Sequence, residues 1–126
     1  MITIVQYGLL IILSLLLVLH ICILLKFIPY NVVWGGRLKS DTEMYRFEIV
    51  SILINLFFLF SILVQSNFLT INFPKKIMTI ILWIMTALFL FNTFGNAISK
   101  NKIEQRVFTP ITFILAILSL ILAFTN

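Results

Sequence analysis

The sequence is poor in charge, cysteine and histidine. Only 10% of its 126 residues are charged, whereas 62% are hydrophobic, and the mean hydropathy is +1.18. The single cysteine, Cys22, excludes an intrachain disulfide and any metal cluster built from several thiolates. The single histidine, His20, excludes a bis-histidine haem site within one chain. So much apolar surface cannot be buried in one small soluble core, and the sequence therefore predicts a protein whose solvent is lipid.

The positive charge lacks the pattern that nucleic-acid binding requires. Nine Lys and Arg against four Asp and Glu give a net charge of +5. These basic residues are spread over loops and helix ends, with no basic stripe and no aromatic platform. The sequence also contains no nucleophile–base pair and no metal-ligating constellation. We therefore expect no nucleic-acid partner, no metal and no cofactor, and we favour a non-enzymatic protein.

Four hydrophobic runs are long enough to cross a membrane. A hydrocarbon core of about 30 Å takes roughly 20 apolar residues at the helical rise. The connections between the runs are short and polar, so we expect a single polytopic membrane domain over residues 1–126. The predicted spans are residues 5–27, 45–65, 77–97 and 107–124.

Local motifs support these limits. Ser40 and Glu43 have the spacing of a capping box before the second span. Pro74 and Pro110 fall in predicted first turns, where proline is tolerated. No positive n-region precedes the first run and no small-residue cleavage site follows it. We therefore interpret that run as a span rather than as a secretory signal.

The distribution of Lys and Arg predicts the orientation of the spans. In the short loops of membrane proteins, positive residues are concentrated on the cytoplasmic side. Loops one and three with their flanks carry six of them, whereas the second loop and the termini carry two. We therefore predict an all-α, up-down-up-down four-transmembrane-helix bundle in the cell membrane, with both termini non-cytoplasmic. The six are Arg37, Lys39, Arg46, Lys100, Lys102 and Arg106, and the two are Lys75 and Lys76.

Small residues mark a predicted seam between the third and fourth spans. In lipid, helices pack closely where small side chains let their backbones approach. Such residues recur at helical spacing on one face of each span, and we expect the two faces to meet. The alternative is a chance distribution of small residues in an apolar chain. The residues are Thr79, Thr86, Thr93 and Ala97 on the third span and Thr112, Ala116, Ser119 and Ala123 on the fourth.

Five polar side chains inside the spans need partners, because an ionisable or amide group at membrane depth is costly. On the second helix, Glu48 and Asn55 differ by about 20° around the axis, and Asn92 and Asn96 stack on one face of the third. With the predicted orientation all five lie in the cytoplasmic half, so we expect a small polar pocket there. The alternative is that each side chain bonds a neighbouring helix and no ligand. The candidate ligand-binding residues are His20, Glu48, Asn55, Asn92 and Asn96.

The first loop contains the most distinctive local sequence, WGGRLK at residues 34–39. Its adjacent glycines, Gly35 and Gly36, permit a sharp turn with exposed backbone amides. Arg37 and Lys39 beside them form a candidate site for an anion such as a phosphate or a lipid headgroup. An ordinary turn that carries cytoplasmic positive charge explains the same residues equally well.

Residues 34–48 (WGGRLKSDTEMYRFE) and 91–100 (FNTFGNAISK) resemble a group of uncharacterised small four-helix bacterial integral membrane proteins. The resemblance implies the four-helix architecture in a bacterial inner membrane and carries no activity. Characterised families of this size fit less well. Small multidrug-resistance transporters keep a carboxylate in the first helix, and no Asp or Glu precedes Asp41 here. Thiol-oxidising bundles need a Cys-x-x-Cys pair, and this chain has one cysteine.

We expect a transporter-like or accessory membrane module whose cytoplasm-facing pocket binds a small polar or amphipathic molecule. Four helices make a small bundle, so beside the lipid bilayer we expect a homo-oligomeric partner or a membrane partner subunit. One alternative is a membrane enzyme that acts on a lipid-like substrate, with Glu48 or His20 as acid or base. That alternative requires the two side chains to approach within hydrogen-bond reach. The other is a purely structural subunit of a larger membrane complex.

Overall fold

The part of the chain that the structure describes forms four α-helices, each long and apolar enough to cross a membrane. The computed structural model describes residues 2–29 and 38–126. The spanning stretches found there are 22 to 25 residues long, which matches a hydrocarbon core of about 30 Å at the helical rise. The predicted all-α fold with four apolar helices is therefore confirmed. The helices are α1 (Ile2–Leu24), α2 (Asp41–Gln65), α3 (Lys75–Ala97) and α4 (Thr109–Thr125), and a π-helical segment, Glu104–Phe108, precedes α4.

Two helices end in Schellman-type caps in which a residue other than glycine takes the left-handed position. At the end of α1, Lys26 has a φ of 65°, and the N–H of Phe27 donates to Cys22 O at 2.8 Å. The helix therefore ends at Leu24, before the predicted limit at 27. Asn67, with a φ of 64°, ends α2 in the same way.

The beginning of α2 is fixed by a cap and an ion pair. Ser40 Oγ accepts a hydrogen bond from the Glu43 N–H at 3.2 Å, as the capping-box spacing predicts, so the helix begins at Asp41 rather than at 45. Lys26 Nζ lies 2.5 Å from a carboxylate oxygen of Asp41, and this hydrogen bond raises the pKa of Lys26. The pair is exposed and contributes little to stability, but it places the ends of α1 and α2 side by side.

Prolines mark the beginnings of α3 and α4. Pro74 occupies the N-cap position of α3, and Pro110 lies in the first turn of α4, where the missing N–H costs little. Pro110 cannot donate to the carbonyl of Arg106, and the wider π-helical turn lies at this point. Helical structure begins at Lys102, ahead of the predicted start at 107.

The helices pack as two pairs, α1 with α2 and α3 with α4, and contacts between α1 and α4 join the pairs. Gly8 is a point of close approach between α1 and α4, because a Cβ added there would lie 3.1 Å from Leu118 Cδ1. α2 and α3 make few contacts with each other. The wall of the bundle is therefore weakest between α2 and α3.

The predicted small-residue faces of α3 and α4 meet. Thr93 Oγ1 donates to Thr112 Oγ1 at 3.0 Å across the contact. Ala97 lies exposed at the end of α3, so the seam stops one turn before the predicted limit. Also buried along it are Thr86, Ala116, Ser119 and Ala123.

Polar side chains link all four helices at one end of the bundle. Gln6 on α1 donates to Gln65 Oε1 on α2 at 2.7 Å, and Gln65 donates to Asn126 Oδ1 at 3.4 Å. Asn126, after α4, donates to Thr79 Oγ1 on α3 at 2.9 Å. We call this end, defined by those four residues, the network end. The opposite end is the cavity end, defined by Leu24, Asp41, Ala97 and Glu104.

Candidate functional site

A cavity of about 280 Å³ lies inside the cavity end of the bundle. This volume is near the lower limit of small-molecule pockets, which are about 300–1,000 Å³. All four helical spans contribute to the wall, and apolar side chains make up most of it. The polar lining residues include His20, Ser51, Asn55, Asn92, Asn96 and Glu104.

A histidine–carboxylate pair between α1 and α2 lies at the polar side of this cavity. His20 Nδ1 is 2.5 Å from Glu48 Oε2. The Glu48 side chain is fully buried, whereas 19% of the His20 side chain is exposed. The imidazole belongs to the cavity lining and the carboxylate lies behind it. Two predicted site residues from separate helices are thus in direct contact.

The remaining polar atoms of this pair have no partner among the residues that the structure describes. Glu48 Oε1 is buried and accepts no hydrogen bond, and among the described residues none donates to His20 Nε2. When Nδ1 carries the proton that is donated to Glu48, Nε2 is a free acceptor. A buried acceptor without a donor costs about 1–3 kcal/mol, so packing alone does not favour this arrangement.

Asn55 serves as a link between helices. With its amide nitrogen toward α1, it donates to Leu13 O at 3.2 Å and accepts from the Leu17 N–H at 3.2 Å. Both ends of the amide are therefore engaged, although the side chain also lines the cavity. This corresponds to the alternative in which a polar residue bonds a neighbouring helix.

The two asparagines of α3 have different surroundings. Asn96 Nδ2 donates to Thr112 Oγ1 at 3.3 Å, which ties it to the seam with α4. Asn92 is exposed, although it lines the cavity. The four-residue spacing rotates Asn92 about 40° around the helix from Asn96. Both asparagines therefore border the cavity, and Asn96 is also bonded to α4.

The cavity opens through the wall between α2 and α3. Ile54 on α2 and Phe91 on α3 both line it and are both exposed on the outside of the bundle. They lie within the spanning helices and not in the loops. This edge of the cavity therefore lies on a side of the bundle that lipid would cover.

Comparison of the chain with family models, with curated proteins and with solved structures found no match. Its function has to be inferred from its own residues. The cavity offers hydrogen-bond acceptors in apolar surroundings, beside a histidine that a carboxylate orients. Such a site can bind the polar head of an amphipathic molecule, or it can use His20 Nε2 as a general base.

Glu104 is a lining residue that the sequence analysis did not identify. Its side chain is only 3% exposed, whereas the predicted span began at 107 and left Glu104 in a polar loop. Glu104 precedes Phe108 by four residues and Thr112 by eight, a spacing that places all three on one face of a helix. That spacing was the signal that could have identified it.

The candidate anion site is described only in part. Gly35, Gly36 and Arg37 lie outside the described residues, and Lys39 is exposed just before α2. The site therefore stays a prediction. Within residues 2–29 and 38–126, no group of three or more His, Cys, Asp or Glu side chains is arranged to hold a metal ion.

Proposed function

We propose that this protein is a transporter-like or accessory module of the cell membrane that binds a small polar or amphipathic molecule in the cavity. The observation that carries the proposal is the buried Glu48 carboxylate, one oxygen of which has no donor, beside a His20 ring that lines the cavity. A pair that only joined helices would gain from having all its atoms satisfied. The open Nε2 of His20, which lines the cavity and is held in place by Glu48, favours a ligand as the missing partner.

Binding is tested by thermal unfolding of the protein in lipid nanodiscs, over a panel of short-chain amphiphiles and polar solutes. At least one compound should raise the melting temperature saturably, because a ligand that binds only the folded state stabilises it by mass action. Glu48→Gln should lose the effect. Glu43→Gln, the same change in the first turn of the same helix, should keep it. No shift across the panel, in the parent protein or in either variant, would count heavily against binding.

The cavity end is proposed to face the cytoplasm, with both termini on the other side in an up-down-up-down arrangement. The support is the excess of Lys and Arg in loops one and three, which connect helices at that end. In this orientation Arg37 and Lys39 can bind anionic headgroups of the inner leaflet. The test is labelling of intact cells with an impermeant thiol reagent after Cys22→Ser. Lys75→Cys should be labelled and Lys102→Cys protected, and the reverse pattern would invert the orientation.

A second function, a membrane enzyme acting on a lipid-like substrate, is favoured by one distance. The 2.5 Å between His20 Nδ1 and Glu48 Oε2 is within hydrogen-bond reach. Glu48 would hold the imidazole so that Nε2 accepts a proton from a substrate hydroxyl or from water. The test is incubation of the protein with labelled lipids, followed by a search for a product. The His20→Gln variant should not form that product, whereas the Cys22→Ser variant should form it at the rate of the parent protein.

The chain is also proposed to work as a homo-oligomer or beside a membrane partner subunit. The support is Asn92, an amide exposed at the depth of the spanning helices, where a polar group without a partner is costly. Light scattering of the detergent-solubilised protein measures its mass against the 14.6 kDa of one chain. If the protein is a monomer and still binds its ligand fully, the homo-oligomer proposal is wrong. If the protein binds no ligand in any oligomeric state, a structural subunit is favoured instead.

A further inference from the structure

We infer that the ligand of the cavity is an amphipathic amine, whose ammonium group binds beside His20 and Glu48 and whose apolar chain extends between α2 and α3 toward the bilayer. The inference rests on the proposed function and names the chemical class of its ligand. It is carried by the kind of polar atom that the cavity leaves open, by the charges around them and by the position of the opening.

Several polar atoms of the cavity lining are open acceptors. His20 Nε2 has no donor among the described residues when Nδ1 donates to Glu48, and Glu48 Oε1, buried behind the ring, has none either. The lining hydroxyl of Ser51 and the amide of Asn92 can accept as well as donate. The side-chain nitrogen of Asn96 already donates to Thr112, and its Oδ1 accepts no hydrogen bond within the described part of the chain. A head group that satisfies several acceptors at once must carry several donors. An ammonium group carries three donors and no acceptor.

The charges around the cavity also favour a cation. His20 lines it with the buried Glu48 carboxylate directly behind the ring. Away from water, this carboxylate would repel an anionic head group, whereas it would attract a cationic one.

Aromatic rings add to this preference. Phe58 and Phe89 line the cavity and pack edge to face, with ring centroids 5.7 Å apart, and Phe108 lines it from the segment before α4. The face of an aromatic ring attracts a cation. A neutral hydroxyl would gain less from the same rings.

The opening between α2 and α3 accounts for the apolar part of the ligand. A cavity of about 280 Å³ has room for a head group and a short length of chain, and the exposed Ile54 and Phe91 at its mouth continue the apolar path outward. A ligand that enters from the bilayer keeps its chain in apolar surroundings throughout. The site therefore suits an amphiphile better than a small hydrophilic solute.

The test compares three octyl amphiphiles that differ only in their head groups: octylamine, octanol and octanoate. Binding to the protein in nanodiscs at pH 7 is followed by ¹⁵N NMR of the imidazole, which is unambiguous because the chain has one histidine. Octylamine should shift the His20 Nε2 signal saturably and bind at least about ten-fold more tightly than octanol, which corresponds to ~1.4 kcal/mol. Octanoate should give no saturable shift.

Matched variants separate the head group from the opening. Glu48→Gln keeps the shape of the side chain and removes its charge, so it should abolish the preference for octylamine over octanol, whereas Glu43→Gln should leave that preference unchanged. Phe91→Trp adds bulk at the mouth and should slow the association of octylamine. Phe94→Trp, at an exposed position of the same helix outside the lining, should not.

The possible outcomes distinguish the ligand class from the proposed function. Tighter binding of octanol or octanoate, or equal binding of all three, would contradict an amine as the ligand class. The proposed ligand-binding function would still stand. If none of the three binds saturably and no compound of the wider panel shifts the melting temperature, both the amine ligand and the proposed ligand-binding function would be contradicted. The head-group comparison uses the parent protein, so it is decisive even if Glu48→Gln does not fold.

Discussion

At the network end the side-chain amides of Gln6, Gln65 and Asn126 are bonded between helices. At the cavity end His20 and Glu48 bond each other, but Glu48 Oε1 and His20 Nε2 have no donor among the described residues. Both ends bring polar groups from separate helices to membrane depth, where each group is costly. At the network end the cost is offset by hydrogen bonds within the protein. At the cavity end it is offset only in part, and a cavity lies beside the open His20 nitrogen. Polar residues in a span thus indicate a ligand site only when their hydrogen bonds are incomplete.

The largest expected effect comes from replacing the histidine–carboxylate pair with apolar residues. His20→Leu combined with Glu48→Met should raise the free energy of unfolding by about 1–4 kcal/mol, because a buried ionic pair often stabilises less than apolar residues of similar volume. The same double variant should lose ligand binding. Thermal and denaturant unfolding in nanodiscs measure the stability. A double variant less stable than the parent protein would mean that the pair holds the helices together, as the network end does.

The opposite result is expected when the network end is disturbed. Gln65 bonds both Gln6 and Asn126, so Gln65→Leu should lower the free energy of unfolding by about 1–2 kcal/mol and leave octylamine affinity unchanged. Unfolding and the histidine NMR titration measure the two quantities on the same sample. A loss of affinity without a loss of stability would show that the two ends do not have separate roles.

Thr112 joins the cavity wall to the seam and should show a smaller effect. Its hydroxyl accepts from Thr93 and Asn96, so Thr112→Val should lower the free energy of unfolding by about 0.5–1.5 kcal/mol and weaken binding slightly. Thr86→Val is the matched control, since among the described residues the Thr86 hydroxyl bonds only the Leu82 carbonyl of its own helix. Equal losses in the two variants would argue against an interhelical role for Thr112.

The smallest expected effect concerns the backbone next to the network end. Asn67 has a φ of 64°. In this left-handed conformation a residue with a Cβ is sterically strained, whereas glycine is not. Asn67→Gly should therefore raise stability by about 0.5 kcal/mol. Asn72→Gly, in the same loop without a positive φ, should be neutral or destabilising, and a larger gain there would show that loop entropy rather than φ governs the response.

The sequence predicts the four helices well because each helix depends on the residues of its own apolar run. An apolar run of the required length must become a helix in lipid, where every backbone group needs an internal partner. Helix limits shifted by a few residues, since Ser40 caps a polar first turn that hydropathy alone excludes. Before α4, hydropathy assigned Glu104 to a loop, but Glu104 begins a π-helical turn and is buried in the bundle.

The partners of the polar residues were less predictable, because they depend on the rotation and register of whole helices. Helical spacing placed Glu48 and Asn55 on one face of α2. It could not predict that Glu48 would pair with His20 and that Asn55 would bond the backbone of α1. Nor did it identify Gln6, Gln65 and Asn126 as one network. These residues lie near the ends of spans, where a polar side chain is ordinary, and only the packed bundle shows that they meet.

The difference between the two ends is tested most directly by two cysteines on one helix. Ser51 lines the cavity, whereas Ser61 is buried toward the network end, so in a Cys22→Ser background Ser51→Cys should react with a small cationic thiol reagent and Ser61→Cys should not. Octylamine should protect Ser51→Cys from the reagent. Equal reactivity of the two thiols, or no reaction at Ser51→Cys in folded protein, would contradict an accessible cavity at that end.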